Sequence, residues 1–92
     1  MVTAIILLNV ELDSVNDVAE RLAALDGISE VYSVAGEYDL VAVARVAHND
    51  AIADLVTAHM RKLEGILHTE TLIAFRTYSR HDLDSMFAIG VD

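Results

Sequence analysis

Residues 2–10 place an apolar side chain at every even position, Val2, Ala4, Ile6, Leu8 and Val10, the period of two that marks a β-strand. Ile5 and Leu7 make the middle of the opposite face apolar as well. The same two-sided pattern returns in Leu-Val-Ala-Val-Ala-Arg-Val at 40–46, and again in a last long strand where Leu67, Ile73 and Phe75 oppose Leu72 and Ala74. Between the strands the spacing changes to three and four. Val15, Val18, Leu22 and Leu25 form one such series and Ile52, Leu55, Val56, His59 and Leu63 another, which predicts two core-facing helices with His59 in the apolar register of the second. Ser14 with Asp17 is the expected N-cap pair of the first helix, and Asn49 or Asp50 caps the second. Gly27 and Gly65 fall where a left-handed C′ residue is wanted.

The chain repeats itself at an offset of 38 residues. Ala4 aligns with Ala42, Val18 with Val56, Leu22 with Met60, Leu25 with Leu63, Gly27 with Gly65 and Ile28 with Ile66. Each half reads strand, helix, strand, and two interleaved βαβ units predict an α+β, ferredoxin-like βαββαβ fold with both helices on one face of an antiparallel sheet. Residues 1–78 make up this single domain. Residues 79–92 form a tail in which Leu83, Met86 and Phe87 line one ridge of a short helix, from Asp82 to Ile89, that Gly90 ends.

A sheet with one wet face alternates cleanly, and these strands do not. Two helices cover one face only, so the other calls for an apolar partner, and a second copy packed sheet to sheet about a two-fold axis supplies one. Composition agrees: 54% of the residues are apolar, above the roughly 45–50% usual for soluble domains, yet the longest apolar run is the five residues Ala4–Leu8, far below a membrane span. No basic region or small-residue cleavage pattern opens the chain, so the expected location is the cytoplasm.

Fifteen acids against six Lys and Arg give a net charge of -9, which opposes contact with phosphates, and the basic residues include only one adjacent pair, Arg61 and Lys62. Direct nucleic-acid binding is therefore not expected. The absence of cysteine removes disulfides, thiolate metal sites and Cys nucleophiles. His48, His59, His68 and His81 show no metal-ligand spacing, so neither a metal nor a cofactor is expected. Ser79, His81 and Asp82 lie too close in sequence to form a nucleophile, base and orienter, and a capping role suits them better. No catalytic residue is assigned. Arg76 and Tyr78, on one face of the last strand, suit an edge or interface contact as well as a ligand.

One connection is not generic. Val34-Ala35-Gly36-Glu37-Tyr38-Asp39-Leu40 joins the second and third strands, with a glycine that permits positive φ and an aromatic flanked by two acids. A hairpin turn with a packing tyrosine accounts for it. So does a small-ligand site in which backbone amides approach the ligand and Asp39 or Glu37 meets an ammonium group.

Gly-Glu-Tyr-Asp-Leu at 36–40, Gly-Ile-Ser-Glu-Val-Tyr-Ser-Val at 27–34 and Glu-Gly-Ile-Leu-His-Thr-Glu-Thr-Leu-Ile-Ala at 64–74 together resemble the effector-binding domain of the Lrp/AsnC family over roughly residues 2–78. The helix-turn-helix that usually precedes that domain is missing, so the sequence resembles its stand-alone version. The resemblance implies sheet-to-sheet dimers, their assembly into rings such as octamers, and an amino acid or related effector bound where dimers meet. It places the effector turn on Gly36, Glu37, Tyr38 and Asp39 and the facing strand of a neighbouring dimer on Thr69, Glu70 and Thr71. Asp39→Ala is then expected to remove ligand binding and leave the fold intact.

The leading expectation is thus a non-enzymatic amino-acid-binding oligomer that acts on transcription or metabolism by assembling with itself or with full-length Lrp/AsnC-type regulators. A small ferredoxin-like enzyme of the cofactor-free monooxygenase or isomerase type is an alternative. It would need a polar group in an aromatic-lined pocket, and the chain has no Trp, two Phe and three Tyr. A purely structural interaction module is the third reading.

Overall fold

A computed structural model describes residues 1–80, and the short helix expected over Asp82–Ile89 lies outside the described residues. The elements run β1 (Val2–Val10), α1 (Val15–Ala23), β2 (Ile28–Ser33), β3 (Leu40–Val46), α2 (Asn49–Asp54) and β4 (Ile66–Ile73). The strands form one antiparallel sheet in the order β2-β3-β1-β4, so each βαβ half skips a strand of the other half, as the internal repeat predicts. Ala4, Ile6, Leu8 and Val10 of β1 join Leu40, Ala42 and Ala44 of β3, and Val18 and Leu22 of α1 close over them with Ile52, Leu55 and Met60. That is the helix-covered face.

The second helix departs from the expected register. After Asp54 the chain makes a π-helical turn, Leu55–His59, and then a 3-10 turn, Met60–Lys62. The extra residue of the wide turn rotates everything after it, so Met60 enters the core at 2% exposure and His59, expected among the apolar positions, is exposed. The inward place thus goes to a side chain with no polar group to desolvate.

The helix ends differ as well. A 3-10 turn, Leu12–Ser14, leads into α1, and the Ser14 hydroxyl makes no cap to the helix. His48 is the N-cap position of α2 and makes none either, leaving Asn49 and Asp50 within the first turn. Ala24 closes α1 in the right-handed region, so the helix ends before Gly27. Gly27 and Gly65 have φ of 93° and 95°, and they serve the turns that aim the chain into β2 and β4. Their carbonyls do equivalent work in the two halves: Gly27 accepts from the Arg45 N–H and Gly65 from the Glu11 N–H, both at 2.8 Å. A Cβ on Gly65 would lie 3.0 Å from Ser14 Cβ and 3.2 Å from Val18 Cγ2. Gly65→Ala is therefore expected to destabilise the fold by about 1–3 kcal/mol, read as a lower urea midpoint with an unchanged slope.

A bulge sets the parity of β4. Ile66 pairs with Val10 and His68 with Asn9, leaving Leu67 unpaired and 65% exposed. Beyond the bulge Thr69, Thr71 and Ile73 point to the helix side and His68, Glu70 and Leu72 to the open side, as their partners on β1 dictate. The strand stops at Ile73, with one further bond from the Ala74 N–H to the Thr3 carbonyl, so Arg76 and Tyr78 lie past its end rather than on it.

Candidate functional site

The open face of the sheet is organised in two rungs. Tyr32, Val41, Leu7 and Glu70 stand side by side across the four strands, and Glu30, Val43, Ile5 and Leu72 form the neighbouring rung. The four central positions are apolar and no helix covers them. Tyr32 is 51% exposed and Leu72 45%. The two carboxylates at the rim already hold partners within the chain: Glu70 accepts from the Tyr38 hydroxyl, and Glu30 lies 3.3 Å from Arg45 Nη1. The Glu30–Arg45 pair can be covered by apolar surface without stranding an ion, whereas the Tyr38 hydroxyl gives the Glu70 carboxylate a hydrogen bond and leaves its charge in place.

The β2–β3 connection occupies one end of this sheet, and β1 is its anchor. The Asp39 carbonyl accepts from the Val34 N–H, closing the turn, while the Asp39 N–H donates to the Leu8 carbonyl at 2.9 Å. Asp39 Oδ2 accepts from the Val10 N–H at 2.9 Å, two residues past the Leu8–Leu40 pair that ends the β1–β3 ladder. Asn9 Nδ2 donates to the Glu37 carbonyl at 2.7 Å. Gly36 has φ 130° and open space around it, so a side chain there would strain the backbone without a clash.

The seven expected site residues therefore divide. Gly36 and Glu37 are exposed at the tip of the turn. Tyr38 and Glu70 meet within one chain on the open face, where the turn and the facing strand were expected to come from different dimers. Thr69 and Thr71 lie on the helix side of β4, opposite in orientation to Glu70, with Thr69 paired to Leu8 and Thr71 to Ile6. Asp39 also has a structural contact, since one of its oxygens holds β1, and Asp39→Ala would remove that bond along with the carboxylate. Asn9 was not among the expected residues, although a polar side chain ending the apolar face of β1 marked it.

The hydrogen bond to Glu70, followed by partial desolvation, raises the Tyr38 phenol above its ordinary 10.0, and the neighbouring Glu30 raises Tyr32 in the same way. A raised phenol keeps its proton longer, so what these bonds contribute is complete below about pH 10 and is lost only as pH climbs through the raised values. An absorbance titration of the native protein is expected to show both phenols ionising later than free tyrosine, and Glu70→Gln to bring Tyr38 back toward about 10.

Among the described residues no three His, Asp or Glu side chains gather as a metal site, and no helix is long and apolar enough to cross a membrane.

The profile of the Lrp/AsnC ligand binding domain matches residues 3–84. The chain belongs to the Lrp/AsnC family. Among solved structures it is similar to TTHA0845 of Thermus thermophilus, with 44% identity and a TM-score of 0.81 over 87% of this chain and 100% of that one. It is also similar to the feast or famine regulatory protein of M. tuberculosis complexed with L-methionine, with 30% identity and a TM-score of 0.70 over 87% of this chain and 54% of that one. An uncharacterized HTH-type transcriptional regulator of Pyrococcus horikoshii is 36% identical over 78 residues, 82% of this chain and 52% of the regulator. The chain thus spans about half the length of the curated Lrp/AsnC relatives it matches. What it shares with them is the family's ligand-binding domain in its ferredoxin-like fold.

Proposed function

We propose that the protein is a non-enzymatic effector-binding and assembly domain of the cytoplasm. In this reading it takes an amino acid at the Gly36–Asp39 turn where two sheet-paired dimers meet, and it acts on transcription or amino-acid metabolism by assembling with itself or with full-length Lrp/AsnC-type regulators. The observation that carries the ligand class is the likeness to a regulator whose structure holds L-methionine. The local chemistry suits a zwitterion. Backbone N–H groups at an exposed glycine turn can donate to its carboxylate, and the Glu37 carboxylate together with the remaining oxygen of Asp39 can accept from its ammonium. Thr69 and Thr71 of a neighbouring copy would add hydroxyls, since their side chains face away from the sheet-paired surface. The sheet pairing itself rests on the four apolar central positions, with Glu30 paired to Arg45 at the rim.

Titration calorimetry with L-methionine first, then with the other amino acids in turn, tests the site. Saturable binding to the wild-type protein that falls at least roughly tenfold, about 1.4 kcal/mol, in Gly36→Val supports it. Absence of binding by every amino acid, or affinity unchanged in Gly36→Val, overturns it.

A further inference from the structure

The open face of the sheet holds one carboxylate that the chain does not balance. Glu30 is paired with Arg45, but Glu70 forms no ion pair among the described residues and receives only the Tyr38 hydroxyl. Glu37, next to Tyr38 in the same connection, adds a second negative charge near that bond. Two copies that pair through this face about a two-fold axis bring Glu70 to the contact twice, and each chain carries a net charge of -9. Charge thus opposes the association that the apolar centre of the face favours.

The group that can offset Glu70 stands on the same face of the same strand. His68 pairs with Asn9 and Glu70 with Leu7, both odd-numbered positions of β1, so imidazole and carboxylate lie on the open side two residues apart, about 7 Å between Cα atoms. The bulge at Leu67 sets this arrangement. An unbroken ladder from the Ile66–Val10 pair would put His68 opposite Leu8, on the helix side, and Glu70 with it. Both residues are exposed in the single chain, and His68 has no ion-pair partner among the described residues.

The neighbouring charges narrow the pH response to one group. Leu7 on β1 and Leu72 on β4 bring none to Glu70, Asn9 brings none to His68, and Arg61 shares a groove with His68 at the edge of β4. Across the rest of the face stand Tyr32 and the Glu30–Arg45 pair. Between about pH 5.5 and 8 carboxylates and guanidinium groups ordinarily keep their charge, whereas imidazole changes its own. Tyr32 and Tyr38, raised above the ordinary phenol value, keep their protons throughout.

We infer that sheet pairing is proton-linked through His68: as pH falls, the His68 imidazolium offsets Glu70 beside it on β4, and the copies pair more tightly. As pH rises the imidazole loses its charge, Glu70 is left unbalanced, and the pairing loosens. The inference rests on the sheet pairing proposed above and gives that contact a regulation by pH.

Sedimentation equilibrium at about pH 5.5 and 8, at one ionic strength and without any amino acid, tests it. The wild-type dissociation constant is expected to be about tenfold lower at the acidic pH, since the two-fold axis counts a modest surface interaction twice. His68→Gln is expected to keep its weak, alkaline value at both pH values. Glu70→Gln is expected to show no tightening on acidification, because no carboxylate remains beside the imidazolium. His59→Gln, which removes an exposed imidazole from the helical segment, is expected to respond as wild type does. Wild-type pairing that does not change with pH, or a His68→Gln variant that tightens as much as wild type, would overturn the inference while leaving the sheet pairing in place. Association untouched by Leu7→Asp would show that copies meet elsewhere, which overturns the sheet pairing and the proton linkage with it.

Discussion

Leu7→Asp is expected to abolish self-association through the sheet, leaving a 10.0 kDa species whose unfolding midpoint no longer depends on protein concentration. Leu7 stands in the centre of the open face between Val41 and Glu70, with Ile5 two residues along the same strand. A carboxylate there would be buried in the middle of an apolar contact with no cation to meet it, because the guanidinium nearest that face, Arg45, is engaged by Glu30. Two-fold symmetry places the charge twice in one interface. Sedimentation of wild type and variant across a roughly hundredfold concentration range reads the effect. A variant that keeps the wild-type mass would show that the sheet face is not where copies meet.

The next residue answers differently. Leu8→Ala is expected to lower stability by about 2–5 kcal/mol at every protein concentration, because Leu8 is wholly buried between the sheet and the helices and its loss leaves a cavity in the core. A domain of this size has roughly 5–15 kcal/mol in total, so the change removes a large share and lowers the midpoint by more than about 10 °C. Denaturant unfolding at two protein concentrations separates the cases: Leu8→Ala shifts both curves equally, whereas Leu7→Asp removes the gap between them. Equal behaviour of the two variants would contradict the assignment of odd and even positions on β1 to different surfaces.

That assignment was legible in the sequence because β1 has no irregularity before Asn9, so alternation from Val2 onward maps directly onto two faces. The 38-residue repeat likewise prefigured the crossed βαβ halves, down to the equivalent carbonyl bonds of Gly27 and Gly65. Single-residue insertions defeated the same reasoning elsewhere. The π-helical turn at Leu55–His59 exchanges His59 for Met60 in the core, and spacing alone does not reveal it because either residue fits a three-or-four interval. The bulge at Leu67 reverses the parity of β4, which took Leu67 off the face it was expected to share with Ile73. For the candidate site, the turn was legible because Gly36 between apolar strands restricts what the chain can do there. Its attachments were not, because the Asp39–Val10, Asn9–Glu37 and Tyr38–Glu70 bonds join residues far apart in sequence and depend on β1 lying between β3 and β4.

Thermal unfolding of the wild-type protein against each of the twenty amino acids, with light scattering to follow mass, tests the effector reading most directly. A ligand bound only by the folded state at about a hundred times its dissociation constant adds about 2.7 kcal/mol, well within reach of the midpoint. The expected result is a reproducible rise with a small subset of amino acids that includes methionine, lost in Gly36→Val. A stable oligomer whose midpoint moves with none of the twenty would contradict the effector reading and leave the domain as an assembly module alone.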